Sequence, residues 1–310
     1  MRVLVTGASG LVGSALLPVL RQAGHEAIAL VRRPARSAAE LQWDPVTPSP
    51  ALFAGADAVV HLSGESIAAG RWTAAHKAAI FGSRVISTQT VAASMAAASP
   101  RPRVLVSASA VGFYGNRGEE TLDESSSSGG GFLAEVARQW EAATEAAAQA
   151  GVRVVPLRIG MVLSGAGGAL PRMLKPFRLG VGGRIGDGRQ WMSWIALDDL
   201  VALILHVLAT DSVRGPVNAV SPNPVSNAEF TRALGRVLHR PTVFPVPAFV
   251  VRAAFGEMGT ELLLASNRAL PRAALASGFR FRHEELREAL EWALALTPAP
   301  RSGRGARSAL

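Results

Sequence analysis

The sequence lacks several residue types that common functions require. It contains no cysteine, which excludes disulfide bonds, thiolate metal ligands and a cysteine nucleophile. It contains one tyrosine, Tyr114, and two lysines, Lys77 and Lys175, so these are the only side chains that can supply a phenol or an amine. The six histidines show no metal-ligand spacing, and no bound metal is expected.

Long apolar runs are also absent. No stretch approaches the roughly 18 consecutive apolar residues of a membrane-spanning helix, and no charged-then-apolar leader precedes the first apolar segment. We therefore expect a cytoplasmic protein with no membrane partner. Hydrophobic residues nevertheless make up 49% of the 310 residues, so the chain can bury a large core.

The positive charge of the chain is not arranged for nucleic-acid binding. The formal net charge is +9, but the cations are nearly all arginines spread along the chain, and aromatic residues make up only 6%. Nucleic-acid binding predicts a clustered basic face with interleaved aromatics, so no nucleic-acid partner is expected. Arg301, Arg304 and Arg307 fall in a Pro/Gly/Ser/Ala-rich tail, residues 297–310, whose composition predicts disorder.

The first residues form a pattern typical of a dinucleotide-binding turn. Apolar residues 3–5 predict a buried strand that leads into Gly7-x-x-Gly10-x-x-Gly13, and leucines at helical spacing follow. These glycines permit, in order, a sharp exit from the strand, close approach of a pyrophosphate and tight packing of the helix. The alternative, an ordinary glycine turn, is disfavoured by the strand and helix on either side. The expected cofactor-binding residues here are Gly7, Ser9, Gly10, Leu11, Val12 and Gly13.

Apolar β-rich segments alternate with helical patterns as far as Arg158, which indicates βαβ units. We predict an α/β fold: a Rossmann-like doubly wound parallel sheet with helices on both faces, plus a smaller, mainly helical C-terminal domain. The NAD(P)-binding domain is expected over residues 1–162 with about 189–212, and the C-terminal domain over about 163–188 and 213–296. Residues 160–188 are predicted to form a loop and a short helix without strands.

The end of the second strand indicates which nicotinamide dinucleotide binds. An acidic residue there accepts hydrogen bonds from the ribose hydroxyls of NAD, whereas a cation suits the 2′-phosphate of NADP. The strand ends in Val31-Arg32-Arg33-Pro34, and arginine forms bidentate, permanently charged contacts with phosphate. Arg32 and Arg33 therefore predict NADP (NADPH) as the cofactor; the alternative is that they are ordinary surface arginines.

Longer motifs along the chain carry a family resemblance. They are Thr6-Gly-Ala-Ser-Gly-Leu-Val-Gly13, Trp43-Asp-Pro45, His61-Leu-Ser-Gly64-Glu-Ser-Ile67, Ser107-Ala-Ser-Ala-Val-Gly-Phe-Tyr-Gly115, Trp194-Ile-Ala-Leu-Asp-Asp199 and Asn227-Ala-Glu-Phe230. Together they resemble an atypical branch of the extended short-chain dehydrogenase/reductase superfamily, the NAD-dependent epimerase/dehydratase family proteins with a short C-terminal domain of unknown function. The resemblance implies cofactor contacts from Leu62, Ser63, Arg84 and Val162. It leaves the oligomeric state open, with a homodimer as one option because many relatives pair through helices.

The usual catalytic pair of that superfamily is absent. Its members use a Tyr-x-x-x-Lys pair on a helix, in which the lysine lowers the pKa of the tyrosine. No such pair occurs in this chain, since its one tyrosine and two lysines are far apart in sequence. The corresponding helix begins Phe132-Leu-Ala-Glu-Val136, which places Phe132 and Val136 where the phenol and the ammonium are expected.

Other side chains are candidates for the missing chemistry. Ser107 and Ser109, near the end of a strand, can hydrogen-bond a substrate oxygen or can simply bond to backbone. Tyr114 is the one phenol, although an unassisted phenol with a pKa of about 10 is a poor base, and aromatic packing is the alternative. Glu65 follows a strand end and is the candidate substrate contact.

These observations leave two functions open. The first is an NADP(H)-binding atypical short-chain dehydrogenase, an oxidoreductase or nucleotide-sugar epimerase-like enzyme of unknown substrate, in which a serine, Tyr114 or water supplies the proton. The second is a non-catalytic NADP(H)-responsive regulatory or binding protein, in which the cofactor state changes the shape of the C-terminal domain. A third function, a structural partner in cell division, rests only on the label of cell-division inhibitor that is sometimes given to that family branch.

Overall fold

The computed structural model describes residues 1–295, so the tail expected over residues 297–310 lies outside the described residues. Within residues 1–295 the strands are β1 (Arg2–Thr6), β2 (Glu26–Val31), β3 (Glu40–Gln42), β4 (Ala58–His61), β5 (Val104–Ala110), β6 (Thr121–Leu122), β7 (Arg153–Ile159), β8 (Met161–Leu163), β9 (Trp191–Met192), β10 (Trp194–Ala196), β11 (Val217–Ala219), β12 (Val225–Ser226) and β13 (Arg268–Ala269). The helices are α1 (Leu11–Gln22), α2 (Pro50–Phe53), α3 (Ala74–Ala97), α4 (Phe132–Ala142), α5 (Glu145–Gln149), α6 (Leu170–Arg178), α7 (Leu197–Ala209), α8 (Asn227–Leu238), α9 (Ala248–Phe255), α10 (Arg272–Ala276) and α11 (Leu286–Ala295).

Seven of these strands form one sheet in the order β11-β7-β5-β4-β1-β2-β3. Every neighbouring pair in this sheet is parallel. The strand order reverses between β1 and β4, and ligands of such sheets bind in the crevice beyond the carboxyl ends at that point. The predicted Rossmann-like, doubly wound parallel sheet is confirmed.

Side chains alternate between the two faces of the sheet, and helices bury both faces. Val3 belongs to a core with Leu16 of α1 and Ile204 of α7, whereas Leu4 belongs to a second core with Met95 of α3. Apolar residues in the central strands therefore point into one core or the other, which explains why the strands are almost continuously hydrophobic.

A third core lies in the C-terminal half and is mainly helical. It contains Leu174 of α6, Phe230 of α8 and Leu290 of α11, together with Trp194 of β10. Helix α8 starts with a capping box, in which the Ser226 side chain accepts the N–H of Glu229 and the Glu229 carboxylate accepts the N–H of Ser226. No helix within residues 1–295 combines the length and apolarity needed to cross a bilayer.

The prediction of no strand over residues 160–188 is wrong, because β8 pairs with β10. Helix α3 begins at Ala74, where the Thr73 side chain accepts the N–H of His76 as its cap. The helix that begins at Phe132 ends at Ala142, and α5 follows it as a separate short helix.

His61, the last residue of β4, is fully buried and neutral. Its Nδ1 lies 2.7 Å from the Thr6 hydroxyl and its Nε2 lies 3.2 Å from the Ser87 hydroxyl. Burial lowers the pKa of this imidazole from 6.5 to about 4. Between these two pH values the unfolded chain binds more protons than the folded protein, so acid favours unfolding there.

We expect the free energy of unfolding to fall by up to about 3 kcal/mol through His61 as the pH drops from about 6.5 to about 4. H61N should be less stable at neutral pH but should lose less stability on acidification, as measured by urea denaturation across this range. H239N is the matched control, since His239 is exposed and asparagine tolerates its left-handed backbone. If the free energy of unfolding of wild type and H61N changed equally with pH, the assignment of His61 as a buried neutral imidazole would be wrong.

Candidate cofactor and active site

The glycine turn between β1 and α1 is pressed against the end of β4. Gly7 has a positive φ of 65°, and a Cβ built on it would lie 2.6 Å from the carbonyl carbon of Leu62. A Cβ on Gly13 would lie 2.4 Å from the Gly7 carbonyl oxygen. Side chains at either position would push the backbone segments apart, so both glycines are required by packing. Gly10 is different, because it is exposed and its nearest neighbour is 3.2 Å away.

The N-terminus of α1 is open toward the crevice. Gly10 is the N-cap and supplies no side-chain hydrogen bond, and the first turn contains no acidic residue. The helical ladder begins with the Ser14 N–H, which donates to the Gly10 carbonyl at 2.9 Å. The N–H groups of Leu11, Val12 and Gly13 precede this ladder, so they point out of the helix at its positive end. Ser9, which is exposed, lies beside them, and unpaired N–H groups at a helix N-terminus suit an anion.

The two arginines at the end of β2 have different surroundings. Both terminal nitrogens of Arg33 donate to the carboxylate of Glu40 on β3, at 2.8 and 2.7 Å. This contact and the Arg36 N–H lower the pKa of Glu40 to about 2. Arg32 is exposed, with no hydrogen bond or ion pair to other residues in the described part of the chain. Arg33 is thus held on the sheet edge, and Arg32 is available to a ligand.

The loop after β4 lies over the guanidinium of Arg84 on α3. A Cβ on Gly64 would lie 3.2 Å from the Arg84 Cζ, and the guanidinium sits 5.2 Å from the Trp140 ring centroid. Burial lowers the pKa of Arg84 to about 10, and the charge of Glu65 acts in the opposite direction. Arg84 donates to the Ile80 carbonyl at 3.2 Å, but within residues 1–295 it forms no ion pair. A half-buried cation with so few partners suits a polar or anionic ligand.

The other sequence-predicted residues border the same crevice. The Leu62 N–H donates to the Thr6 hydroxyl at 3.2 Å, and Ser63 follows directly on the face of the glycine turn. Val162 lies on β8 and packs against the first core. Beyond it, Gly167 and Gly168 approach the side chain of Leu11, so the segment after β8 reaches the first turn of α1.

Ser109 belongs to a buried polar network that the sequence did not reveal. Its hydroxyl donates to Glu141 of α4 at 2.7 Å, and Glu141 also accepts two hydrogen bonds from Arg158 of β7, each at 2.8 Å. Glu141 and Arg158 are almost completely shielded from water. The proton of Ser109 is therefore committed to a carboxylate. Ser107 is also buried, and its hydroxyl lies 3.4 Å from the Ala108 carbonyl oxygen.

Tyr114 is enclosed in the same network. Its hydroxyl oxygen accepts a hydrogen bond from Arg158 at 3.0 Å and lies 2.7 Å from Asn218 Oδ1 and 2.9 Å from the Asp123 carbonyl oxygen. The side chain has no exposed surface, and burial raises the pKa of the phenol. A phenol that is enclosed, hydrogen-bonded and harder to ionise is better suited to packing than to proton transfer.

The N-terminus of α4 is completed by a distant carboxylate. Gly131 precedes the helix with a φ of 104° and offers no side chain, and the N–H groups of Phe132 and Leu133 donate to the two oxygens of Glu261, each at 2.8 Å. Trp72 packs edge-on against the Phe132 ring, with centroids 5.2 Å apart. No sequence signal pointed to Glu261, since the contact spans 129 residues.

An ammonium group also lies against Phe132. Lys77 Nζ is 4.4 Å from the ring centroid and donates to both carboxylate oxygens of Glu257 at 2.8 Å. The side chains of Lys77 and Glu257 are 30% and 44% exposed, so the pair is partly open to solvent and is not part of the core. Among the described residues, no cluster of three or more His, Asp or Glu side chains is arranged to hold a metal ion.

Comparison with known proteins identifies relatives over almost the whole chain. The model of the NAD dependent epimerase/dehydratase family matches residues 3–219, and that of a domain of unknown function, DUF1731, matches residues 246–293. An epimerase family protein of Mycobacterium bovis is 46% identical over 293 residues, covering 94% of this chain and 97% of the relative. The epimerase family protein SDR39U1 of Bos taurus is 39% identical over 299 residues, covering 95% of this chain and 100% of the relative.

Two solved structures are similar in both fold and sequence. The human epimerase family protein SDR39U1 (isoform 2) with NADPH has a TM-score of 0.87 and 34% identity, and covers 96% of this chain and 100% of that one. A nucleoside-diphosphate sugar epimerase from Corynebacterium glutamicum has a TM-score of 0.78 and 41% identity, and covers 94% of this chain but 58% of that one.

Gly10 offers a test of the glycine turn that disturbs the fold less than a change at Gly7 or Gly13. We expect G10V to fold with a somewhat lower melting temperature, because its Cβ would lie 3.2 Å from the Gly7 carbonyl oxygen, and to lose dinucleotide binding because the side chain blocks the helix N-terminus. Thermal unfolding and a fluorescence titration with NADPH measure the two effects. G70V is the control, since Gly70 has open space around it and lies in another loop. Full NADPH affinity in G10V would refute the proposed phosphate position.

Tyr114 can be tested through its hydroxyl alone. We expect Y114F to lower the free energy of unfolding by about 1–3 kcal/mol, because Arg158 and Asn218 lose a buried hydrogen-bond partner. NADPH affinity should stay unchanged. Urea denaturation and the same fluorescence titration check both statements. Unchanged stability combined with lost turnover of a substrate would instead indicate a catalytic phenol.

Proposed function

The chain belongs to the NAD dependent epimerase/dehydratase family, and from this membership we propose that it binds NADP(H) and acts as an atypical short-chain dehydrogenase on a small molecule. The activity is that of an oxidoreductase. The observation that carries the proposal is the open N-terminus of α1 beside the exposed Arg32, since together they suit a pyrophosphate and an additional phosphate.

The choice of NADP(H) over NAD(H) follows from the end of β2. No carboxylate is free there to hold two ribose hydroxyls, because Glu40 is neutralised by Arg33. Arg32 adds an unpaired guanidinium, the group best suited to a phosphate. The human relative of known structure carries NADPH, which supports the same assignment.

Each part of the crevice has a distinct role in this proposal. The N–H groups of the first turn of α1 hold the pyrophosphate, and Arg32 holds the 2′-phosphate. Arg84, with the backbone of Leu62 and Ser63, faces the half of the dinucleotide nearest β4, and Val162 supplies an apolar contact. Bound NADP(H) supplies or accepts a hydride. Glu65 is exposed at the entrance and remains the candidate substrate contact.

The two serines of β5 have different roles in this proposal. Ser109 positions Glu141 and Arg158, since its proton is already donated. Ser107 has only a long contact with backbone, so it is the better of the two candidates for polarising a substrate oxygen. Tyr114 packs the network in this proposal and does not transfer a proton.

A second function is favoured by a specific observation. Residues 257 and 261, from the region matched to the domain of unknown function, contact Lys77 and the start of α4 at the border of the crevice. A ligand that moves either contact would also move the C-terminal region. A non-catalytic NADP(H)-responsive binding protein would use this coupling to change its affinity for a partner.

Arg32 provides the test of cofactor choice. We expect R32A to weaken NADPH binding by roughly 10- to 100-fold, the value of a lost charge-assisted hydrogen bond, and to leave NADH binding unchanged. R33A should have a smaller effect on NADPH, because Arg33 already pairs with Glu40. Isothermal titration calorimetry with both nucleotides measures this. If R32A weakened NADPH and NADH equally, the phosphate contact would be wrong.

The two functions are separated by turnover. We expect the wild-type protein to oxidise bound NADPH with at least one member of a panel of ketones, quinones and nucleotide sugars. Steady-state absorbance of NADPH follows the reaction. G10V, which is expected not to bind NADPH, is the control for oxidation of NADPH free in solution. Tight NADPH binding without any turnover, together with partner affinity that depends on the NADP redox state, would favour the binding protein.

A further inference from the structure

Two cations of α3 face the crevice from one side of the helix. Lys77 and Arg84 are seven residues apart, which places them two turns apart on the same face. Arg84 lies under Gly64 at the end of β4, and Lys77 lies over the ring of Phe132 at the start of α4. Both groups therefore border the space beyond the carboxyl ends of β4 and β5.

Lys77 differs from its neighbours in being able to give up a proton. Of the 32 Lys and Arg residues in the chain only Lys77 and Lys175 are lysines. A guanidinium stays charged under all ordinary conditions, whereas an ammonium on a flexible four-carbon stem can donate a proton and recover it. An amine at the border of the crevice can therefore supply a proton, which the arginines of this chain cannot.

The surroundings of Lys77 hold its ammonium in place without enclosing it. Glu257 accepts from it with both carboxylate oxygens at 2.8 Å, and the Phe132 ring faces it at 4.4 Å. Arg71 of the preceding loop donates to the Ala253 carbonyl at 2.6 Å, which ties this loop to the segment that carries Glu257. The side chain of Lys77 is still 30% exposed, so it is not sealed off from solvent by these contacts.

We propose that Lys77 is a catalytic residue whose Nζ donates the proton to the substrate oxygen when a carbonyl compound is reduced. This inference rests on the proposed NADP(H)-dependent function. The carbonyl carbon gains a hydride from NADPH, which leaves as NADP⁺. One N–H bond of the Lys77 ammonium breaks as the O–H bond of the product alcohol forms, and the neutral amine recovers a proton from solvent. The reaction consumes one carbonyl, one NADPH and one proton.

The test uses K77R, which keeps the positive charge and the partner of Glu257 but cannot release a proton. We expect reduction of phenanthrenequinone by NADPH to be slower by about 10²-fold or more, the usual contribution of a general acid. NADPH affinity and melting temperature should match wild type. K77M, which removes both the charge and the transferable proton, should slow the reduction by a similar factor. K175R is the matched control because Lys175 is exposed on α6.

A second readout needs no turnover. Reductive methylation with isotopically labelled methyl groups marks both lysines and the N-terminal amine, and the signals missing from the K77R and K175R variants assign the two lysines in the nuclear magnetic resonance spectrum. Adding NADP⁺ should shift the signal of Lys77 and leave that of Lys175 in place. An unshifted Lys77 signal at saturating NADP⁺ would place the amine away from the cofactor and overturn the proposal.

The outcomes separate this inference from the proposed function. Wild-type rates in K77R would overturn the role of Lys77 while leaving an NADPH-dependent enzyme intact. A wild-type protein that binds NADPH but reduces neither phenanthrenequinone nor any other carbonyl of the panel would remove the enzymatic function and this role with it. Slow reduction by K77R, together with unchanged NADPH affinity and a shifted Lys77 signal in the wild-type protein, would support both the enzymatic function and the role of Lys77.

Discussion

The close approach of the β1 turn to the end of β4 is the constraint on which the rest of the crevice depends. With no Cβ at Gly7 or Gly13, the turn lies directly against the backbone of Leu62, and α1 packs directly against the turn. This fixes the positive end of α1 beside the point where strand order reverses. The loop after β4, which continues to Gly64 and covers Arg84, is held by the same contact.

The opposite wall of the crevice is built from a part of the chain far from the sheet in sequence. Glu257 and Glu261 follow α9 and reach Lys77 and the first turn of α4. Behind that wall, Arg158 and Glu141 form a buried ion pair, which is costly to disrupt because either partner alone would leave an unpaired charge. The crevice thus has one wall set by backbone packing and one set by charged side chains.

The extent to which the sequence predicts this molecule depends on the range of the interactions. The glycine turn and the parallel sheet follow from local patterns and were foreseen. Short strands such as β8 and β11 were missed, because three residues carry too little periodicity to be recognised. The difference between Arg32 and Arg33 depends on Glu40 in an edge strand, which no spacing rule marks. Lys77 and Glu257 lie 180 residues apart, so only the folded chain brings them together.

The cap that Glu261 provides for α4 has a consequence for synthesis of the protein. The first turn of α4 is translated 129 residues before the carboxylate that satisfies its N–H groups. A nascent chain that ends before residue 261 leaves those groups to water, although its sheet strands are already complete as far as β11. The start of α4 therefore takes its final form only after residue 261 has emerged from the ribosome, so this border of the crevice forms later than the sheet.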